Sequence, residues 1–191
     1  MADNANKPLI LASGSPRRRE LLAKMGYTFE ICAPDVDEHV QGHARDIVLT
    51  LAGRKARAAA AHCRRGIIIA SDTLVSLDGA PLGKPEDEAD AKRMLRALSG
   101  REHEVFTGVC VMDAESGENE IRAVRTGVTF RALTDGEIDV YIATGEPMDK
   151  AGAYAIQGGA APFVEKLDGE FENVVGFPVV EVKEMLGHFG L

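Results

Sequence analysis

The chain has 191 residues, with 22 Lys plus Arg against 30 Asp plus Glu, and a formal net charge of −8. Hydrophobic content of 45% and charged content of 27% are those of a soluble globular protein and exclude a disordered or fibrous chain. A pI near 5.2 excludes a nucleic-acid coat or an anionic membrane surface as the main partner.

Residues 1–65 carry a balance of +4 and residues 66–191 one of −12. A basic segment inside an acidic protein suits one small anionic ligand rather than a polyanion. Cys32, Cys63 and Cys110 are an odd number at wide spacing, which makes neither a disulfide framework nor a metal-binding pair. The start, MADNANKPLI, lacks the charge and long apolar run of a signal peptide. No apolar stretch approaches the roughly 20 residues that span a bilayer. The expected location is the cytoplasm, in one domain over 1–191.

Leu9–Ala12 is a short apolar run ending in Ser13-Gly14-Ser15-Pro16. Ser15 is a good N-cap, and Pro16 suits the first helical position, where its missing N–H is harmless. Leu21, Leu22 and Met25 recur at helical spacing and Gly26 closes the helix. Thr28–Ala33 reads as a second strand, and the Ala-rich residues 44–65 as a long helix. Gly66–Val75, GIIIASDTLV, has the continuous β-branched run of a strand buried on both faces. Glu86–Leu98 reads as a helix with an acidic first turn.

Val105–Met112 and Ile121–Phe130 read as strands joined by a polar turn. Thr134-Asp135-Gly136-Glu137 matches a capping box ahead of Ile138, Tyr141 and Ile142. Residues 145–178 are rich in Gly and Pro, with strand-like pieces at Ala153–Ile156 and Phe163–Leu167; Pro178 precedes a final short helix. Alternation without strict βαβ regularity predicts an α/β fold on a mixed sheet.

Each candidate functional residue has two readings. The turn Ser13-Gly14-Ser15-Pro16-Arg17-Arg18 puts free N–H groups at a helix N-terminus before two arginines, which attracts phosphate; it equally describes a capped helix with solvated arginines. No Walker A motif is present. Asp72 ends a hydrophobic strand, a place for a metal or a water ligand, or for a turn-capping Asp. Lys84, held between Gly83 and Pro85, and Lys55, beside Arg54 and Arg57, read as cations for an anion or as solvated side chains. Glu38 sits in an acidic loop. His103 suits a proton shuttle or a structural position at a strand entrance. Tyr154 and Gln157 suit reading a base edge or pairing with backbone. The cysteines read as core residues.

In order, the blocks LILASGSPRRRELL (9–22), ASDTLV (70–75), LGKP (82–85), LSGREHEVFTGV (98–109), GEPMDKAGAYAIQG (145–158) and ENVVGFP (172–178) resemble the Maf family of nucleoside triphosphate pyrophosphatases over essentially the whole chain. The resemblance implies a mixed central sheet flanked by helices, with two lobes around a cleft as in inosine triphosphate pyrophosphatase, and usually a homodimer. It implies hydrolysis of a nucleoside triphosphate to the monophosphate and pyrophosphate with Mg²⁺ or Mn²⁺. By motif position, Asp72 matches the proton acceptor. Ser13, Arg18, Glu38, Lys55 and Lys84 match cleft residues for phosphate, metal or water, with Glu38 and Asp72 as metal ligands. Arg17, Thr73 and Gln157 match positions tied to substrate choice.

The SPRR form, with Arg17, resembles the branch acting on dTTP and UTP. The other readings are the same chemistry on 7-methyl-GTP, or a non-catalytic nucleotide-binding regulator of septum formation. Departures are Ser71 in place of a common alanine, Ala155 in place of glycine and Phe177 in place of leucine; none removes a candidate catalytic group. Whether Asp72 is base or mainly metal ligand stays open at this level.

Overall fold

The computed structural model describes residues 7–191, so most of the MADNANKPLI segment lies outside the described residues. In chain order the elements are β1 (Leu9–Leu11), α1 (Pro16–Lys24), β2 (Phe29–Ile31), α2 (Ala44–His62), β3 (Ile67–Leu77), β4 (Ala80–Leu82) and α3 (Glu88–Leu98). There follow β5 (Glu102–Asp113), β6 (Asn119–Phe130), α4 (Asp135–Ala143), β7 (Val164–Asp168), α5 (Phe171–Val175) and α6 (Val179–His188). The seven strands form one sheet in the order β2-β1-β3-β5-β6-β7, with β4 paired to β3. β1 is parallel to β2 and β3, and every other pairing is antiparallel. The expected mixed α/β sheet is the one observed.

Helix boundaries follow local chemistry. Pro16 opens α1 and left-handed Gly26 lies just past its end. Ser15 stands at the cap but makes no side-chain cap bond. Asp87 caps α3 by accepting from the Asp90 N–H at 2.7 Å, and Thr134 with Glu137 completes the expected capping box. One expectation is corrected. Ala153–Ile156 is not a strand: Ala151–Ala153 is a 3₁₀ turn with Gly152 at φ 68° and Ala153 at φ 60°, and a left-handed backbone cannot continue an extended one.

The long strands β3 and β5 serve separate cores at their two ends. The N-terminal half of β3 alternates between them by pleat. Ile67 and Ile69 pack with Leu22 of α1 and with Val182, Met185 and Leu186 of α6. Ile68 and Ala70 face Ala52, Ala56 and Ala59 of α2. At the far end Val75, Leu77 and Val105 join Leu95, Leu98, Ile138 and Phe130 in a third cluster beneath α3 and α4. Each fully buried Leu or Ile contributes roughly 1.5–3 kcal/mol of transfer free energy. Asp72, Thr73 and Leu74 lie where the strand passes from one core to the next, and all three line a cleft.

The cysteine expectation holds only for Cys110. It is buried, and Cys32 and Cys63 are half-buried against the α2 cluster. All three are free thiols, and burial pushes the Cys110 thiol up to about 12.

Candidate active site

β1 pairs with β3 only from Ile67 to Ile69, and β4 joins that strand only at Val75. Between them β3 has an edge that neither strand covers. Ala12 N–H bonds to Ile69 O; the next carbonyl on that edge, Ser71 O, receives Arg18 Nη1 at 2.7 Å instead. An arginine thus takes the place of a neighbouring strand.

Arg18 is committed further. Its Nε donates to Gly176 O at 2.9 Å, Nη1 also to Ser13 Oγ at 3.3 Å, and Nη2 to Thr73 Oγ1 at 3.3 Å. Four of its five N–H groups are used within the protein, which leaves one for a ligand. Desolvation of the guanidinium lowers its pKa below the usual arginine value, against the opposing pull of Asp72. Ser13 Oγ accepts from Arg18 and from the Ser15 N–H at 3.2 Å, so its hydroxyl hydrogen is free to be donated.

The pleat sends Asp72 to the opposite face from Thr73, towards α2. There Lys55 Nζ lies 2.7 Å from Asp72 Oδ1 and 2.7 Å from Glu38 Oε1. Asp72 Oδ2 has no protein partner among the described residues. α2 comes this close because Gly108, the cross-strand partner of Asp72, has no side chain; a Cβ there would sit 2.2 Å from Val48 O. The loop bearing Glu38 is tied to α2 by Arg54 Nη1 donating to Asp37 O at 3.0 Å. The Lys55 hydrogen bond, ahead of an opposing desolvation, holds Glu38 below the usual carboxylate range.

Lys84 is exposed on a loop fixed by Gly152 N–H donating to Gly83 O at 3.0 Å. It makes no ion pair among the described residues. Gln157 sits in a turn held by Gly159 N–H donating to Glu146 Oε2 at 2.9 Å. Arg17, Arg18, Ser13, Glu38, Lys55, Asp72, Thr73, Lys84 and Gln157 all line one cleft of about 1110 Å³. The nine residues that the family resemblance assigns to the site are therefore brought to the same concavity.

His103 is not in it. It is buried beside Phe130, with Nε2 2.8 Å from Tyr154 Oη, and burial lowers its pKa to about 4. That is a structural, neutral imidazole, and the proton-shuttle reading falls. Tyr154 borders the cleft, but its hydroxyl is turned to His103. Sequence reasoning missed Glu146, Asp149 and Lys150, which line the cleft. It also missed Thr107 and Asn173, fully buried behind it. The register that sets Thr107 opposite Thr73 has no local sequence signal.

The donor set accommodates a hard divalent cation. Two carboxylates, Glu38 and Asp72, are brought together on the Lys55 ammonium, and among the described residues no group of three His, Cys, Asp or Glu side chains is placed to hold a metal. Two carboxylates, with phosphate oxygens and waters for the remaining positions, suit Mg²⁺ rather than an all-protein cage.

A family model described as "Maf-like protein" matches residues 8–189. The dTTP/UTP pyrophosphatase of Moorella thermoacetica is 51% identical over 187 residues, covering 96% of this chain and 95% of that protein. That of Geobacter sulfurreducens is 52% identical over 184 residues, covering 95% and 96%. That of Shewanella oneidensis is 48% identical over 193 residues, covering 96% and 98%.

Proposed function

The chain belongs to the Maf family, and on that premise we propose that it hydrolyses dTTP and UTP to the monophosphate and pyrophosphate, as a single domain over 1–191. The observation that carries this reading is the cleft floor itself. Asp72 meets Lys55 on one face of β3 and Thr73 meets Arg18 on the other, with Arg17 and Lys84 at the rim. The names of the curated relatives support the nucleotide class.

A water attacks the α-phosphorus, the bond from that phosphorus to the bridging oxygen breaks, and pyrophosphate leaves. Asp72 accepts the water's proton at Oδ2, the oxygen that Lys55 does not occupy. Charge spreading over the phosphates is met by Lys55, Lys84 and the remaining N–H of Arg18, with the Ser13 hydroxyl donating its free hydrogen. Glu38 and Asp72 would hold Mg²⁺ or Mn²⁺, which would supply further charge neutralisation when bound. Arg17, Thr73 and Gln157 take the nucleoside side of the cleft and govern substrate choice. The working unit is a homodimer in the cytoplasm.

A panel of dTTP, UTP and 7-methyl-GTP, scored for pyrophosphate release with Mg²⁺ and with Mn²⁺, tests this. dTTP and UTP turn over fastest, and activity is lost on chelation and restored by the metal. Equal or better turnover of 7-methyl-GTP refutes the pyrimidine reading. Nucleotide binding without any pyrophosphate release returns the regulator.

A further inference from the structure

Thr73 on β3 and Thr107 on β5 are direct cross-strand partners, and their hydroxyl oxygens lie 2.9 Å apart. A hydroxyl donates one hydrogen and accepts with two lone pairs. Thr107 Oγ1 also lies 2.9 Å from Asn173 O, a carbonyl that only accepts, so the Thr107 hydrogen goes there. Thr107 then accepts from Thr73, and the single hydrogen of Thr73 is used. On the other side stands Arg18 Nη2, which only donates, 3.3 Å from Thr73 Oγ1. The proton order is fixed from both ends, running from Arg18 through Thr73 and Thr107 to the Asn173 carbonyl.

Thr107 and Asn173 are fully buried, whereas Thr73 is half-buried and lines the cleft. Thr73 alone of the three meets a substrate, and meets it with a lone pair. The phosphate chain of a nucleotide near neutral pH presents acceptor oxygens, to which a hydroxyl without a free hydrogen offers nothing. The complementary group is an N–H or O–H on the nucleoside.

We propose that Thr107 is a positioning residue for substrate choice, holding the Thr73 hydroxyl as an obligate acceptor that selects a nucleoside bringing it a donor. This rests on reading the cleft as a dTTP/UTP site. Those two nucleotides share two nucleoside donors, the N3–H of the base and the 3′-hydroxyl of the sugar; the 2′-hydroxyl is absent from dTTP. Cytosine presents a bare N3 instead, which sets acceptor against acceptor. A site built around a hydrogen-bonding group rejects the analogue that leaves the group unpaired.

The test measures kcat/KM of the wild type, Thr107→Val and Thr107→Ser on dTTP, dCTP and 2′,3′-dideoxy-TTP. Valine keeps the shape and removes the acceptor, which frees the Thr73 hydrogen to turn into the cleft. Asn173 O keeps its bond from the Gly176 N–H at 2.9 Å, so no buried carbonyl is orphaned. In Thr107→Val one preference falls about tenfold, the size expected for one hydrogen bond. It is dTTP over dCTP if the donor is N3–H, and dTTP over the dideoxy analogue if it is the 3′-hydroxyl. Thr107→Ser keeps both preferences. Thr107→Ala, which removes the same hydroxyl with less bulk, runs beside the valine variant and gives the same answer if valine is not tolerated. Both ratios unchanged in a folded hydroxyl-less variant overturn the proposal, as does a serine variant that shifts as far as valine. A wild type that releases no pyrophosphate from dTTP or UTP overturns the functional reading as well, a different and separately visible result.

Discussion

Lys55 and Asp72 meet across the interface of α2 and β3, with Nζ 2.7 Å from Oδ1. The contact depends on two features of the sheet. The pleat turns Asp72 to the helix side, and Gly108 on the neighbouring strand lets α2 settle until a Cβ would touch Val48 O. The same ammonium binds Glu38 Oε1, so one cation holds the two carboxylates side by side and keeps Glu38 below the usual carboxylate range.

Asp72→Asn keeps the size of the side chain and removes its basicity. Turnover of dTTP falls by about 10²–10⁴, the usual worth of a positioned general base, while the unfolding temperature and the affinity for a non-hydrolysable dTTP analogue stay close to wild type. Pyrophosphate release and calorimetric titration read the two effects separately. Substantial residual turnover would falsify the proton-acceptor role.

Lys55→Met removes the group that holds Glu38 low. The Glu38 carboxyl then titrates at higher pH, so its charge is lost earlier on acidification. The acidic limb of the kcat/KM profile moves to higher pH, and a limb that stays in place rules out Glu38 as part of the reacting assembly.

Arg18 and Lys84 differ in what their loss does. Arg18→Lys withdraws donors from the Ser71 and Gly176 carbonyls, and a lysine cannot span both. Stability drops by about 1–3 kcal/mol together with activity. Lys84→Ala, at an exposed cation with no ion pair among the described residues, lowers kcat/KM and leaves the denaturant midpoint in place. Equal destabilisation in the two variants refutes the distinction.

Gly108→Ala forces the sheet and α2 apart where the added methyl meets Val48 O at 2.2 Å. Overpacking of this kind costs about 1–3 kcal/mol, read as a lower unfolding temperature. Activity falls further than stability accounts for, since Lys55 is carried away from Asp72.

His103 gives the fold a pH dependence. Its folded pKa of about 4 lies below its ordinary 6.5, so between these values the unfolded chain binds the extra proton and stability falls as pH falls. The loss accumulates from about pH 6.5 down to about pH 4 and totals roughly 3 kcal/mol at 1.36 kcal/mol per pKa unit. Above pH 6.5 it is absent. Denaturation across this range loses less stability in His103→Gln than in wild type; identical slopes would show that the imidazole is not held neutral.

Much of this molecule is written locally. Pro16 and Gly26 bound α1, Thr134 and Glu137 build the α4 cap, and the apolar run at 67–70 can only be a strand covered on both faces. Ala153–Ile156 misled because its residue types suit a strand while two left-handed residues, at 152 and 153, bend it into a turn. The motif order led to nine residues that line the cleft and passed over Glu146, Asp149 and Lys150, because side chains that share a cleft lie in short stretches at strand ends and loops. Their relations were not legible. Long-range pairing set Thr107 behind Thr73 and Gly108 behind Asp72, and the gap that β1 and β4 leave on the other edge of β3 turned Arg18 from a free phosphate clamp into a strap over that edge. The sequence by itself determined which groups are present and what each element is, since capping, pleat and burial are near-neighbour effects. Only the tertiary structure decided which donors remain free for a ligand, because that depends on partners 53 to 158 residues away along the chain.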